Sequence, residues 1–158
     1  MPVSADEFRN ALSRFPSGVN VVTTKDAAGK PHGLTVSAFC SVSLAPPLVL
    51  ICIEGTTDSH AAFAESEVFV VNVLRDSQQY LSEQFAAPAE DKFEAVEFRS
   101  GIDGVPVLID ALANIECRLK HIYGGGDHTI YVGEVETVTI NEGSPLLYFH
   151  HDYAGVKQ

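Results

Sequence analysis

Runs of apolar and β-branched residues, separated by short polar turns, dominate the hydrophobic pattern of this chain. Such runs predict buried or half-buried strands. Because the predicted strands are closely spaced and do not alternate regularly with helices, the pattern argues against a parallel, doubly wound sheet. The strands are predicted over residues 19–24, 31–39, 48–53, 68–74, 112–123, 129–140 and 146–150.

Helical periodicity is confined to short segments between these strands. Ser4 and Glu7 have the spacing of a capping box, and Phe8, Leu12 and Phe15 follow at helical intervals before Pro16 and Gly18 end the helix. Two further short helices are predicted. One runs from Thr57 or Asp58 as N-cap to Glu65, and the other covers 77–85 with Asp76 or Ser77 as N-cap. After the last helix, residues 86–95 are predicted to form a mobile polar loop.

The number and spacing of the strands favour a mainly β protein. Closing an antiparallel sheet into a barrel removes its exposed edges, so we predict a small Greek-key barrel with short flanking helices. At 158 residues the whole chain, 1–158, is predicted to be a single domain. Side chains fill the interior of a small barrel, so a large cofactor would lie outside it, often at a subunit interface.

The net charge limits the possible binding partners, and the cysteine content indicates the cellular compartment. The formal net charge is −11, from 21 acidic and 10 basic side chains, and it disfavours binding to nucleic acids and anionic membranes. Three cysteines without CxxC spacing predict reduced thiols in a cytosolic protein. The N-terminus does not resemble a signal peptide, and no apolar run is long enough to span a membrane. We therefore expect a cytoplasmic location.

Small residues and hydroxyl side chains dominate residues 33–47, which contain no charged side chain. Small residues let a ligand approach the backbone N–H groups. The segment leads directly into the apolar strand 48–53, so we predict a pocket for a planar molecule with polar edges. The alternative is a polar strand and turn with ordinary local hydrogen bonds.

Residues 54–60 form a second hydroxyl-rich segment. Hydroxyls and exposed N–H groups at a helix N-terminus can bind an anion, such as a phosphate attached to the planar molecule. Asp58 counts against such a site unless it points away. Plain N-capping is the alternative.

The sequence Gly124-Gly125-Gly126-Asp127-His128 joins two predicted strands. It lacks the spacing of a dinucleotide fingerprint, and a flexible hairpin tip is one interpretation. His128, at the mouth of a strand, is placed to meet a ligand, although a solvated or capping histidine is the alternative. The six histidines show no HxxxH or HExxH spacing, so we expect no metal site. The chain lacks the GxSxG motif of serine hydrolases.

Several of these segments occur together in one known family. The chain resembles the flavin reductases with the FMN-binding split-barrel fold, the small reductase components of two-component flavin monooxygenases. The segments that carry the resemblance are 15–19, 22–24, 33–47, 69–74, 85–86, 92–93, 115–117, 126–128 and 132–135.

The resemblance implies a homodimeric Greek-key split barrel that binds FAD or FMN. His128 would lie beside the nicotinamide of NADH, and Phe85 near the flavin. The isoalloxazine ring would lie against residues 35–38, held largely by the backbone. The implied cofactor-binding residues are Thr35, Val36, Ser37, Ala38, Ser41, Cys52, Thr56 and Ser59, with Phe85, and with Phe93 and Tyr153 on the nicotinamide side.

The implied reaction is hydride transfer from NADH to the flavin, followed by release of reduced flavin to a partner monooxygenase. The scarcity of basic side chains near the expected nicotinamide region favours NADH over NADPH. Two alternatives remain open from the sequence. One is a non-catalytic flavin-binding barrel, and the other is a split-barrel reductase of a different acceptor.

Overall fold

The structure is a computed structural model that describes residues 2–157. Two single 3₁₀ turns lie at Asp76–Gln78 and Ile102–Gly104. The helices of the described chain are α1 (Ala5–Leu12), α2 (His60–Glu65) and α3 (Gln79–Ala86). Its strands are β1 (Ser17–Gly18), β2 (Asn20–Lys25), β3 (Pro31–Val36), β4 (Phe39–Leu44), β5 (Pro47–Glu54), β6 (Val68–Val73), β7 (Phe98–Ser100), β8 (Pro106–Leu108), β9 (Ala113–Gly125), β10 (His128–Ile140), β11 (Leu147–Phe149) and β12 (Asp152–Ala154).

The main sheet has seven antiparallel strands in the order β3-β2-β6-β9-β10-β5-β4. Its two edge strands, β3 and β4, are separated in sequence only by Ser37 and Ala38. The edges therefore have to meet, and the backbone N–H of Cys52 donates to the carbonyl of Ala38 at 3.0 Å. The sheet closes into a barrel whose seam lies at residues 37–38. The prediction of a mainly β barrel with short flanking helices is confirmed.

The prediction of one continuous strand over 31–39 is wrong. The chain leaves β3 after Val36 and starts β4 at Phe39, on the other edge of the sheet. A bulge at Ser41/Ser43 disturbs the register of β4 against β5, and most of β4 is exposed. The apolar–polar alternation that identifies a strand is therefore missing from β4.

Two small sheets complete the fold. The predicted last strand corresponds to β11, which lies between β1 and β12 outside the barrel, and β7 pairs with β8. Strands β1, β7, β8 and β12 are not predicted, because each has only two or three residues and gives no periodic signal in the sequence.

The barrel interior is filled by alternate side chains of its strands. Along β5, Val49, Ile51 and Ile53 point inward and are buried, while Leu50 and Cys52 point outward and are half-buried. Tyr131 and Phe63 pack into the same core. A second cluster of side chains lies where α3 packs on the sheet, and it contains Val19, Val21, Leu74, Leu81, Phe85, Phe93, Leu108 and Leu146.

The helix boundaries confirm one predicted cap and correct two others. The Ser4 hydroxyl accepts from the Glu7 N–H, and the Glu7 carboxylate accepts from the Ser4 N–H, so the capping box is present. Helix α1 ends at Leu12, short of Phe15. The N-cap of α2 is Ser59, not Thr57 or Asp58, and it makes no side-chain cap hydrogen bond.

The residue before α3 is also not the predicted cap. Residues 76–78 form the 3₁₀ turn, so Gln78 is the N-cap of α3 and neither Asp76 nor Ser77 has that position. The segment after α3 is anchored to it. The Gln84 amide donates to the carbonyls of Lys92 and Glu94, and the side chain of Phe93 is buried.

Candidate functional site

A cleft of about 200 Å³ opens at the barrel seam. It brings together residues that are far apart in the sequence, because β5 pairs with β10 and places Glu54 opposite His128. Six of the predicted site residues line this seam cleft. The lining residues are Leu34, Thr35, Val36, Ser37, Ala38, Cys52, Ile53, Glu54, Thr57 and His128.

One wall of the seam cleft consists of residues 35–38, here called the ledge. Strand β3 is a sheet edge, so alternate backbone N–H and C=O groups on its open side have no strand partner. The Thr35 hydroxyl donates to the carbonyl of Ser82 at 2.6 Å, and the Val36 carbonyl accepts from the Asn20 side chain at 3.1 Å. The Ser37 and Ala38 side chains are exposed. A ligand on the ledge would therefore meet backbone groups and the Ser37 hydroxyl.

His128 also lines the seam cleft, and its Nδ1 lies 2.7 Å from Oδ1 of Asp127. This hydrogen bond holds the pKa of Asp127 below its ordinary value. Within residues 2–157, Nε2 of His128 has no hydrogen-bond partner. The imidazole is thus held through one nitrogen, and the other is free to meet a ligand.

A second cleft, of about 500 Å³, borders the adjoining part of β3 at Gly33. The predicted residues Ser59 and Phe93 line this second cleft. Lys30 and Lys92 line it as well, and we call it the basic-side cleft after them. The Lys92 ammonium donates to the carbonyl of Phe85 at 3.0 Å, and burial lowers the pKa of Lys92. Two lysines and a hydroxyl can hold an anionic group, although Asp58 and Glu90 also line the cleft.

Four predicted residues lie outside the two clefts. Phe85 is fully buried beneath Gly33. It therefore packs under the basic-side cleft and is not part of the cleft surface. The Tyr153 hydroxyl lies 2.8 Å from the Ser82 hydroxyl and so holds α3, which also receives the Thr35 hydrogen bond. Ser41 on β4 and Thr56 are exposed and line neither cleft.

The sequence did not single out Glu54, Lys30 or Lys92 as lining residues of these clefts. Only the pairing of β5 with β10 places Glu54 beside His128. The anion site predicted at 54–60 stays a prediction; the helix that follows it, α2, has only six residues and no side-chain cap. The Thr57 hydroxyl donates instead to the carbonyl of Glu54, and Ser59 faces the basic-side cleft.

An apolar cleft of about 550 Å³ lies on the outer side of the seam. It shares Ser37, Ala38 and Cys52 with the seam cleft. Helix α1 has no buried residue, and its apolar side chains border this surface. This apolar face is formed mainly by Phe8, Leu12, Phe15, Ala38, Phe39, Leu50, Tyr148 and Phe149.

Residues 12–157 match the family model described as flavin reductase like domain. A protein of Rhizobium meliloti strain 1021 named "probable flavin reductase" is 44% identical over 128 residues, which are 81% of this chain but 41% of that protein. The reductase subunit HsaB of a flavin-dependent monooxygenase from Rhodococcus jostii strain RHA1 is 38% identical over 151 residues, 95% of this chain and 77% of the relative.

Among solved structures, similarity is high to the NADH:FAD oxidoreductase SgcE6 of Streptomyces globisporus C-1027, determined in complex with NAD and FAD fragments. The TM-score is 0.91 at 35% identity, over 98% of this chain and 93% of that chain. Within residues 2–157, no helix is long and apolar enough to cross a membrane.

Proposed function

Because the chain belongs to the flavin reductase family, we propose that it is an NADH-dependent flavin reductase that transfers a hydride from NADH to FAD or FMN. The observation that best supports this reaction is the seam cleft. It brings the ledge, Cys52 and His128 together next to the open edge of β3.

The residues of the ledge suit a flavin. Ser37 and Ala38 are small and exposed, no charged side chain interrupts the ledge, and the open edge of β3 offers backbone groups to the polar rim of a flat ring. When bound, the flavin supplies the ring that accepts the hydride. The basic-side cleft, with Ser59 and Lys92, suits the phosphate end.

The protein contributes position and electrostatics rather than acid–base chemistry. Residues 35–38 and Cys52 would hold the ring, and N–H groups of the ledge would stabilise the negative charge that hydride transfer places on its rim. His128 would orient the nicotinamide of NADH, which lowers the entropic barrier to transfer. Phe93 would bound the site, while Phe85 and Tyr153 would support it from behind. The roles of Ser41 and Thr56 at the ribityl and phosphate end stay predictions.

We further propose that the protein acts as a homodimer that delivers reduced flavin to a separate monooxygenase component in the cytoplasm. The apolar face supports the dimer because it leaves large apolar side chains exposed, including Leu12 of α1 at 52% and Phe15, three residues after α1, at 74%. The relative that is a reductase subunit of a monooxygenase supports the delivery of reduced flavin.

The test measures oxidation of NADH or NADPH by the purified protein when FMN, FAD or riboflavin is supplied. The reaction is monitored as the loss of absorbance of the reduced nicotinamide. We expect flavin-dependent oxidation, faster with NADH. Flavin binding without turnover would contradict the proposal and favour a non-catalytic flavin-binding barrel. Turnover only with a corrin or a ferric complex as acceptor would favour a reductase of another substrate.

A further inference from the structure

Strand β9 runs past the end of its partner β6 and carries an aromatic pair on the part that β6 does not cover. Strand β9 pairs with β6 only as far as Arg118, and residues 120–127 are all exposed. On this part the rings of His121 and Tyr123 stack on each other, with centroids 5.7 Å apart and planes at 19°. Tyr123 is 53% exposed. A large flat surface is thus presented to solvent.

The strand register places this pair on the same face of the sheet as the candidate site. Tyr123 lies opposite Ile130, His121 lies opposite Val132, and His128 lies opposite Gly125. Side chains alternate along a strand, so residues 121, 123 and 125 share one face with residues 128, 130 and 132. The same face continues onto β5, where Ile130 is opposite Cys52 of the seam cleft.

The half-buried side chain of Ile130 lies between the aromatic pair and Cys52 of the seam cleft. The residue between Tyr123 and His128 on this face is Gly125, and a Cβ there would lie 3.2 Å from Ile130. Cys52 and Tyr123 are separated by two interstrand spacings, about 10 Å. One extended ligand that passes over Ile130 can therefore touch both the seam cleft and the aromatic pair.

We propose that His121 and Tyr123 form a stacking platform for the adenine ring of a dinucleotide whose other end occupies the seam cleft. The inference rests on the proposed function, since it requires a dinucleotide at that cleft. Adenine is uncharged and flat, so an aromatic surface suits it in a protein with a net charge of −11. Both NADH and FAD carry this ring, and the experiment separates them.

The first arm compares NADH with reduced nicotinamide mononucleotide, which lacks the adenylate. For Tyr123→Ala we expect the KM for NADH to rise about tenfold and the KM for the mononucleotide to stay unchanged. Tyr123→Phe keeps the aromatic face and should behave like the wild type. Ile122→Ala is the matched control, because Ile122 lies on the same hairpin but on the opposite face.

The second arm measures the dissociation constants of FAD and FMN by quenching of flavin fluorescence. A loss of FAD affinity in Tyr123→Ala with FMN affinity retained would place the adenine of FAD on the platform, whereas selectivity in the first arm only would place that of NADH there. Retained FMN binding also shows that the variant is folded.

Three results would overturn the platform. The first is an equal effect of Tyr123→Ala on the full and the truncated ligand, and the second is no effect on KM or on the dissociation constants. The third is a change of oligomeric mass in Tyr123→Ala without a change in affinity, which would show that this face contacts a second copy of the chain. A wild-type protein that neither binds flavin nor oxidises NADH would instead refute the proposed function.

Discussion

At the residue scale, His128 is the side chain from which we expect the clearest kinetic effect. It lines the seam cleft with one ring nitrogen held by Asp127. If it positions the nicotinamide, His128→Ala should raise the KM for NADH more than it lowers kcat, as measured by steady-state kinetics at saturating flavin. Thr137→Ala, farther along β10, is the control. An unchanged KM for NADH would contradict this role.

The three cysteines should differ in reactivity because their surroundings differ. Burial raises the pKa of Cys117 to about 12, and burial also raises the pKa of Cys52, while Cys40 is exposed. Thiolates are the reactive form, so a thiol reagent at neutral pH should label Cys40 first and Cys117 only on unfolding. Simultaneous labelling of all three in the folded protein would contradict this order.

The same burial sets a direction for stability at alkaline pH. In the unfolded chain the Cys117 thiol ionises at a pKa of about 8.5, whereas in the folded protein it stays protonated up to about 12. Above about pH 8.5 the unfolded state therefore binds fewer protons than the folded state, and stability contributed by this group falls as the pH rises. Urea unfolding of wild type and Cys117→Ala at several pH values below and above about 8.5 measures the difference.

Gly33 is a residue where the structure allows no side chain. An added Cβ would lie 2.8 Å from Cε1 of Phe85 and 3.3 Å from Cζ of Phe93. We expect Gly33→Ala to lower the free energy of unfolding by about 1–3 kcal/mol, measured by urea denaturation. Gly18→Ala is the matched control, since nothing lies within 4 Å of its added Cβ. Equal effects of the two substitutions would show that Phe85 and Phe93 do not constrain Gly33.

At the scale of elements, Asn72 of β6 ties three strands together. Its amide donates to the carbonyl of Val21, and its carbonyl oxygen accepts from the Leu108 N–H at 3.0 Å and from the Asn114 amide at 2.8 Å. Asn72→Ala leaves buried donors without partners, so we expect a loss of at least about 2 kcal/mol in unfolding free energy.

Asn141 offers a comparison for that loss. Its amide donates to the carbonyl of Ala111 in a less buried position. Asn141→Ala should therefore cost about 1 kcal/mol. An Asn72→Ala variant as stable as Asn141→Ala would show that water replaces the lost partners.

The elements also show where sequence patterns succeed and fail. Strand β6 was predicted because a continuous apolar run identifies a fully buried strand, and α1 because its capping box is a local signal. Strand β4 was not predicted separately, since its bulge and exposure remove the alternation. The caps of α2 and α3 were misplaced because the chain enters both helices through turns without side-chain caps.

At the scale of the whole molecule, the family resemblance stated from the sequence is confirmed by the match over residues 12–157. The ledge could be identified from its small residues, and His128 from its motif. Their proximity could not, because it depends on barrel closure and on the register of β5 with β10. The burial of Phe85 likewise follows from the packing of α3, which residue type does not reveal.

The apolar face predicts the assembly of the molecule. If two copies cover each other's α1, then Leu12→Asp with Phe15→Asp should convert the dimer to a monomer in light scattering coupled to gel filtration. Flavin affinity should also fall, since Ser37, Ala38 and Cys52 border both clefts. Tyr80→Asp, an exposed aromatic outside this face, is the control. A wild-type monomer would contradict the proposed dimer.

The closure of the barrel through Ser37 and Ala38 has a consequence for its dynamics. These two residues join β3 directly to β4, the two edge strands of the seven-stranded sheet, and they belong to the ledge against which a ring would lie. Ligand binding at the ledge and local opening of the barrel are therefore coupled. A bound ring would hold the two edge strands together, so amide-proton exchange should slow more in β3 and β4 than in the other strands.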